Sequence, residues 1–375
     1  GLIIYPRYHK WAREHVNHIT ATEDHPINCS SCHLYIKQPP LVAKIVNARY
    51  YSPVNLTVSN DGKFLYVVAE DGNSILVINT EKNKVAEEIP VGIHPHSVII
   101  DRKGEKAYVS NQWSDNVSVI DLKTNEVIDT VNSGGGPAGL MLSSDEKSLY
   151  IVNSFTSDIS VVDLSSGEEI KRLTAGNNPT GIGKSPDGSF LYVTSRRTLS
   201  APYGDTIRCE LTGISDDNKR IYERRDIKSA YMIENVEFTP SGDLAIFPLI
   251  RPKNNVPTVQ VERGWMMTEG IGIVENKLSG RTIQLLLDEP NAYYADPFDI
   301  AISHDGKRAF VSHAGVDKIT VIDLDAVRKL ISSIPDDKLE MYANHLGISS
   351  GIVIKRIPTG ANPKGMALSP DGKIL

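Results

Sequence analysis

Hydrophobic and polar positions along the chain repeat with a regular period from about residue 41 onwards. Four tyrosines in short apolar runs lie 42 residues apart, at Tyr66, Tyr108, Tyr150 and Tyr192. Each period contains about four short runs that are apolar or alternate apolar with polar residues, separated by turn-forming residues. Four short strands in a period of about 40 residues predict one propeller blade per repeat, because such a sheet buries both faces only by stacking on its neighbours.

The number of repeats follows from the number of turn motifs of the Ser-Pro-Asp-Gly type. Seven such motifs occur, at Gly62, Gly104, Glu146, Gly188, Gly242, Gly306 and Gly372. The sequence therefore predicts an all-β fold, with a seven-bladed β-propeller over residues 41–375. The last blade is incomplete in this chain, because two strands are missing after its turn. We expect these strands in a continuation of the chain, and we expect the run 42–46 to close the ring as the last strand of the final blade.

The spacing of the turn signals lengthens in the second half of the chain, from 42 residues to between 54 and 66. This spacing indicates inserted loops near residues 197–230, 248–295 and 325–352. Long insertions on a rigid scaffold often carry function, although they also serve as capping loops.

Composition limits the classes of function. The formal net charge is -6 and the pI is near 6.0, whereas a nucleic-acid binder carries a basic stripe. No apolar run approaches the roughly 18 residues that span a bilayer. The three cysteines cannot build a disulfide framework, and two of them lie close together, at Cys29 and Cys32. This pair needs another explanation.

The segment Cys29-Ser30-Ser31-Cys32-His33 matches the C-x-x-C-H pattern of covalent haem attachment. Two thiols at this spacing reach the two vinyl groups of one porphyrin, and His33 then presents its imidazole to the iron as the proximal ligand. A zinc site would require a second pair of ligands, and a thioredoxin-like site would lie in a βαβ pattern. The sequence therefore predicts one covalent haem c, held by a short, mostly helical or irregular segment over residues 1–40.

The sixth iron ligand has several candidates. Four further histidines lie in the same segment, at His9, His15, His18 and His25. His15 and His18 are three residues apart in a predicted helix and therefore share a face. Methionine is an alternative ligand, from Met266, Met267 or Met341 in the inserted loops. An open sixth position would instead indicate catalysis.

Alignment of the repeats predicts a second site at one mouth of the central channel. The residue after the proline that precedes each first strand occupies an equivalent position in every blade. Three of these residues are ionisable: His96, Glu234 and Lys364. They are candidates for binding a small polar ligand or a metal, and the other interpretation is a solvated rim of mutually satisfied charges.

The repeats resemble the YVTN family of β-propeller repeats over roughly residues 41–375. The resemblance rests on Ser185-Pro186-Asp187-Gly188, Tyr192-Val193-Thr194-Ser195 and Tyr108-Val109-Ser110-Asn111. It implies the fold strongly and the function weakly, because propellers host many activities. Chains that join such a propeller to haem c resemble redox enzymes, including fusions to a di-haem peroxidase-like module. Resemblance to c-type cytochromes further implies a periplasmic or extracellular location.

Three functions remain open. The first is an extracytoplasmic cytochrome that transfers electrons through its haem, with the propeller as a docking scaffold. The second is part of a haem redox enzyme, of the cytochrome c peroxidase or dehydrogenase type, whose further haem module follows residue 375. The third is a scaffold subunit of a multi-haem complex. The expected partners are redox proteins, including other cytochromes, and neither nucleic acid nor a membrane span is expected. No catalytic side chains are predicted, because no nucleophile elbow, phosphate loop or paired-carboxylate spacing rises above chance.

Overall fold

The computed structural model describes residues 50–202, 204–252, 267–276 and 280–375. These residues form six antiparallel sheets of four strands, and in each sheet the four strands pair in chain order. Residues Tyr51–Leu375 constitute one compact unit. This organisation of consecutive four-stranded sheets is that of a β-propeller.

The first three blades follow one another with short connections. Their strands are β1 (Pro53–Val58), β2 (Phe64–Ala69), β3 (Ser74–Asn79), β4 (Lys84–Pro90), β5 (Pro95–Ile100), β6 (Lys106–Asn111), β7 (Asn116–Asp121), β8 (Glu126–Asn132), β9 (Pro137–Leu142), β10 (Ser148–Asn153), β11 (Asp158–Asp163) and β12 (Glu169–Thr174). The 42-residue period predicted from the sequence is the spacing of these blades.

The last three blades carry the longer connections. Their strands are β13 (Pro179–Lys184), β14 (Phe190–Ser195), β15 (Arg208–Ser215), β16 (Arg220–Lys228), β17 (Glu237–Phe238), β18 (Leu244–Pro252), β19 (Met267–Glu275), β20 (Thr282–Leu286), β21 (Pro297–Ile302), β22 (Arg308–His313), β23 (Lys318–Asp323) and β24 (Val353–Pro358). The insertions predicted from the sequence therefore lie within and between these blades.

Burial decreases from the inner to the outer strands of a blade. In the third blade all six residues of β10 are buried, whereas Leu173 is the single buried residue of β12. The inner strands are sandwiched between two neighbouring blades and are apolar on both faces, as in other sheets that are covered on both sides. The outer strand faces solvent and is correspondingly polar.

Adjacent blades share a hydrophobic core. Tyr108 and Val119 of the second blade pack with Leu140 and Leu149 of the third blade in one cluster of buried residues. Burial of each large apolar side chain contributes about 1.5–3 kcal/mol, so the stacking of blades supplies much of the stability of the ring.

The Ser-Pro-Asp-Gly turn recurs because each residue has a physical role. The Ser185 hydroxyl donates to the Asp187 carboxylate at 2.6 Å and accepts from the Phe190 main-chain N–H at 3.1 Å. Gly188 takes a φ of +72°, a left-handed conformation that glycine adopts without strain. The motif therefore fixes the turn between the first and second strands of the blade.

The prediction of seven blades is wrong for the described residues, which form six. The seventh turn does form, since the Gly372 N–H donates to the Ser369 carbonyl at 2.7 Å. However, no strand is present in residues 359–375. This segment makes isolated contacts with two blades: the Gly365 N–H donates to the Val54 carbonyl at 3.1 Å, and the Met366 N–H donates to the Asp299 carboxylate at 2.7 Å. A single segment without a paired neighbour cannot form a blade.

The insertion predicted near residues 325–352 contains the helices of the described chain. These are α1 (Leu324–Ser333), α2 (Leu339–Tyr342) and α3 (Ser349–Ile352), with short 3-10 turns at Asp336–Lys338 and Leu346–Ile348. The Asp323 carboxylate caps α1 by accepting from two main-chain N–H groups. α1 buries Leu324, Val327 and Ile331 against the core of the last two blades. No helix in the described residues is long and apolar enough to cross a membrane.

Candidate functional site

The residues predicted to bind haem lie outside the described part of the chain. They are Cys29, Cys32 and His33, together with the distal candidates His9, His15, His18 and His25. Met266 also lies outside it. Haem attachment and the mostly helical or irregular segment 1–40 therefore remain predictions from the sequence.

A cavity of about 360 Å³ lies where the first strands of the six blades converge. Its wall includes residues of β1, β5, β9, β13, β17 and β21, and residues 365–368 line it as well. First strands are innermost in a propeller, so this cavity is the central channel. Polar and ionisable side chains from several blades face it.

His96 lies on the cavity wall at the start of β5. Burial lowers the pKa of its imidazole to about 4, and the nearby charges of Arg196, His94 and Lys364 act in the same direction. The ring is therefore neutral at neutral pH. Its buried Nδ1 atom has no hydrogen-bond partner among the described residues.

Glu234 lies on the same wall and is 8% exposed. Arg196 Nε is 2.8 Å from Glu234 Oε1 in an ion pair, although the contact lacks the alignment of a hydrogen bond. Burial raises the pKa of Glu234, and this effect outweighs the opposing charge of Arg196. The ion pair therefore only partly offsets the desolvation of the carboxylate.

Lys364 belongs to the same group of residues. Its Nζ atom lies 5.5 Å from the centre of the Phe298 ring, and its charge lowers the pKa of both His96 and Glu234. The structure thus brings the three predicted channel-mouth residues together. Ligand binding by them remains a prediction, and in the described ranges no group of three or more His, Cys, Asp or Glu side chains is arranged to hold a metal ion.

Two further carboxyl groups on the cavity wall, those of Asp299 and Glu237, were not predicted from the sequence. Asp299 accepts three hydrogen bonds, from Asn235 Nδ2 at 2.6 Å and from the main-chain N–H groups of Ile300 and Met366 at 2.8 and 2.7 Å. The Glu237 side chain is exposed to the cavity, whose wall is formed by residues of all six blades. This enclosure raises the pKa of Glu237 to about 8, and the Asp299 charge adds to the effect.

Asp299 lies in β21 of the sixth blade, and Glu237 was hidden from the alignment because the repeat of the fifth blade has diverged. The first strand of that blade, β17, has two residues, whereas the other first strands have six. The available signal for Glu237 was its position three residues after the predicted channel residue Glu234, which precedes β17. Cys209, by contrast, is a buried free thiol whose pKa burial raises to about 12, so it is not a reactive thiolate.

Six blades of four antiparallel strands around a shared channel define this chain as a β-propeller protein. Two family models agree with this class. Residues 99–188 match the YNCE-like beta-propeller, and residues 49–127 match the lactonase 7-bladed beta-propeller.

Particular proteins also resemble the chain. Hydrazine synthase subunit beta of Kuenenia stuttgartiensis is 32% identical over 154 residues, which are 41% of this chain and 40% of that protein. A solved chain of Kuenenia stuttgartiensis hydrazine synthase superposes with a TM-score of 0.81 at 29% identity, covering 87% of this chain and 92% of the other. A candidate 6-phosphogluconolactonase of Bacteroides uniformis, at 18% identity, 72% and 80% coverage and a TM-score of 0.54, shares the fold alone.

Proposed function

We propose that this chain is the propeller subunit of a multi-subunit redox enzyme similar to hydrazine synthase, and that it carries one covalent haem c. The similarity to the solved hydrazine synthase chain carries this proposal. It extends over 87% of this chain at 29% identity with a TM-score of 0.81. The curated relative is a subunit by name, which favours a role inside an assembly.

A scaffold role suits the physical character of the propeller. Its blades are joined by shared apolar cores, and hydrogen bonds cross between them, as from Tyr150 to Asp216 at 2.7 Å and from Arg225 to the Gly280 carbonyl at 2.7 Å. Such a ring keeps its loops at fixed positions and presents two broad faces to other proteins. The propeller would therefore hold partner subunits in a defined geometry.

The Cys29-Ser30-Ser31-Cys32-His33 segment supplies the redox part of the proposal. Two thioether bonds would fix the haem, and His33 would hold the iron from one side. When bound, haem c supplies one-electron transfer. We place the protein in an extracytoplasmic compartment, since covalent haem attachment of this kind implies maturation there.

Optical spectroscopy of the full chain tests the haem part. The chain is produced in a host that matures c-type cytochromes, and the pyridine haemochrome is compared between wild type and Cys29→Ala/Cys32→Ala. We expect one haem c per wild-type chain and none in the double variant. Cys209→Ala is the matched control and should retain the haem. A wild-type chain without haem would overturn this part of the proposal. Ready binding of carbon monoxide would show that the sixth position of the iron is open, and it would favour catalysis at the haem over electron transfer alone.

A further inference from the structure

The two faces of the propeller differ in chemical character over the first three blades. Connections between antiparallel strands alternate between the faces. One face, the loop face, carries the second and fourth connections of each blade, at residues 70–73, 91–94, 112–115, 133–136, 154–157 and 175–178. The opposite face carries the first and third connections, at residues 59–63, 80–83, 101–105, 122–125, 143–147 and 164–168.

Charge is distributed very unevenly between these faces. The connections of the opposite face contain thirteen Asp, Glu, Lys and Arg residues of both signs, as expected of a surface that faces water. The loop-face connections contain three carboxylates, Glu70, Asp71 and Asp115, and no lysine or arginine. Depletion of charge at the centre of a surface distinguishes protein interfaces from ordinary surface.

Large apolar side chains occupy the loop face instead. Trp113 is 63% exposed, Phe155 is 61% exposed and Ile93 is 51% exposed. Trp113 and Phe155 are 42 residues apart and therefore occupy equivalent turns of adjacent blades. Aromatic residues exposed in this way are enriched among the residues that dominate binding energy at interfaces.

Contacts between the loops hold these side chains in place. The main-chain N–H of Trp113 donates to the Ile93 carbonyl at 3.1 Å. The Trp113 ring stacks on the His94 ring, with 4.2 Å between the ring centres. Asp115, in the turn of Trp113, accepts from the Gly136 N–H at 2.9 Å. The Phe155 ring packs directly on Gly136, so closely that a Cβ atom on residue 136 would lie 2.5 Å from the ring. The surface is therefore ordered before any partner binds, which lowers the entropy cost of association.

We infer that Ile93, Trp113 and Phe155, rimmed by Glu70, Asp71 and Asp115, form a docking surface for a different subunit whose contact region has an apolar centre and a basic rim. The basic rim follows from charge complementarity, since the Asp, Glu, Lys and Arg residues in the loop-face connections of the first three blades are all acidic. This inference rests on the proposed function, because it names the face through which the propeller would enter its assembly.

Paired truncations test the surface in the full chain, tagged and expressed in its native host. The test variant is Trp113→Ala/Phe155→Ala. The control is Val127→Ala/Ile128→Ala, which removes exposed apolar side chains from the outer strand β8. We expect the test variant to bind the partner subunit at least about 30-fold more weakly for each hot-spot aromatic lost. The control should bind like wild type, and both variants should melt like wild type because the removed side chains are exposed.

A photo-cross-linking residue at position 113, and in a separate protein at position 128, identifies what covers the surface. We expect a cross-link from position 113 to another subunit of the purified assembly, at a site in that subunit near Lys or Arg residues. We expect no cross-link to that subunit from position 128. Association should also slow as salt is added, because salt screens the acidic rim.

The outcomes separate the two proposals. If wild type assembles and Trp113→Ala/Phe155→Ala assembles equally well, the docking surface is wrong and the proposed function stands. A cross-link to a second copy of this chain overturns the assigned partner. If wild type itself is recovered without any partner subunit, the proposed function fails and the docking inference fails with it.

Discussion

At the scale of single residues, buried ionisable groups keep unusual protonation states. Glu269 is 6% exposed, and its pKa is raised by burial and then by the neighbouring Asp288 carboxyl. Asp288 accepts from the N–H groups of Glu269 and Tyr294, both at 2.8 Å, so it is the member of the pair better suited to carry the charge. His313 is fully buried, and burial lowers its pKa to about 4. These groups link the stability of the fifth and sixth blades to pH.

The protonated Glu269 predicts a loss of stability as pH rises. In the unfolded chain its carboxyl ionises near 4.5, whereas the folded state retains the proton to higher pH. The folded state therefore binds more protons above pH 4.5, and the free energy of unfolding falls as pH increases, by up to about 1.4 kcal/mol per pH unit. Glu269→Gln should flatten this slope between pH 5 and pH 8 in urea titrations. Glu81→Gln, at an exposed turn, is the control, and equal slopes in all three proteins would contradict the assignment.

His313 predicts the opposite dependence at acidic pH. One ring nitrogen contacts the Tyr294 carbonyl at 2.6 Å and the other contacts the Thr320 hydroxyl at 2.8 Å. An unfolded histidine takes up a proton below about pH 6.5, while the folded one stays neutral down to about 4, so stability falls as pH drops through this window. His313→Gln should cost about 1–3 kcal/mol at pH 7 through lost hydrogen bonds, yet lose less on acidification. Chemical denaturation between pH 4 and pH 7 tests this prediction, with His304→Gln at an exposed position as the control. If the free energy of unfolding of His313→Gln falls on acidification as much as that of wild type, the prediction is wrong.

At the scale of elements, a buried arginine ties the helical insertion to the fifth blade. Arg251, at the end of β18, is 2% exposed. Its guanidinium donates to Gln284 Oε1 at 2.6 Å and contacts the Glu340 carboxylate on α2 and Asn344 just after it. The arginine thus connects β18, β20 and the insertion.

Arg251→Met should loosen the insertion more than it weakens the propeller. The substitution leaves the Gln284 oxygen without this donor, at a cost of about 1–3 kcal/mol, while the exposed Glu340 remains hydrated. We expect faster amide exchange and faster proteolysis within residues 324–352, measured by mass spectrometry. Arg197→Met, at an exposed loop position, is the control and should leave both rates unchanged. Equal protection of the insertion in the Arg251 variant would show that α1 packing alone holds it.

The elements differ in how far the sequence determines them. The turn at Ser185–Gly188 was predicted because its hydrogen bonds are local, and the strands around it follow from the repeat. The helix α1 was missed, although Asp323 is a capping residue and Leu324, Val327 and Ile331 have helical spacing, because the insertion was treated as a loop. The fifth blade was indicated by its turn at Gly242 and by Glu234, which precedes the short strand β17. Glu237 and Asp299 acquire their properties from enclosure by several blades, which no local pattern encodes.

At the scale of the whole molecule, counting repeats gave the architecture and overstated the number of blades. The seventh repeat supplies a turn and hydrogen bonds to the first and sixth blades, such as those of Gly365 and Met366, but no paired strands. His96 and Glu234 both line the cavity, because blades place equivalent residues at equivalent radii, and a binding site at the channel mouth stays a prediction. The scarcity of charged residues on the loop face was not predicted, since it becomes visible only when it is known which connections lie on the same side of the ring.

Native mass spectrometry of the full chain, purified in its assembled state from its native host, tests both the subunit role and the haem. We expect a complex that contains this chain with at least one different subunit in fixed proportion. On denaturation the chain itself should be heavier than its sequence mass by one haem, and Cys29→Ala/Cys32→Ala should remove that increment. A chain that is recovered alone, at its bare sequence mass, would contradict both the subunit role and the haem.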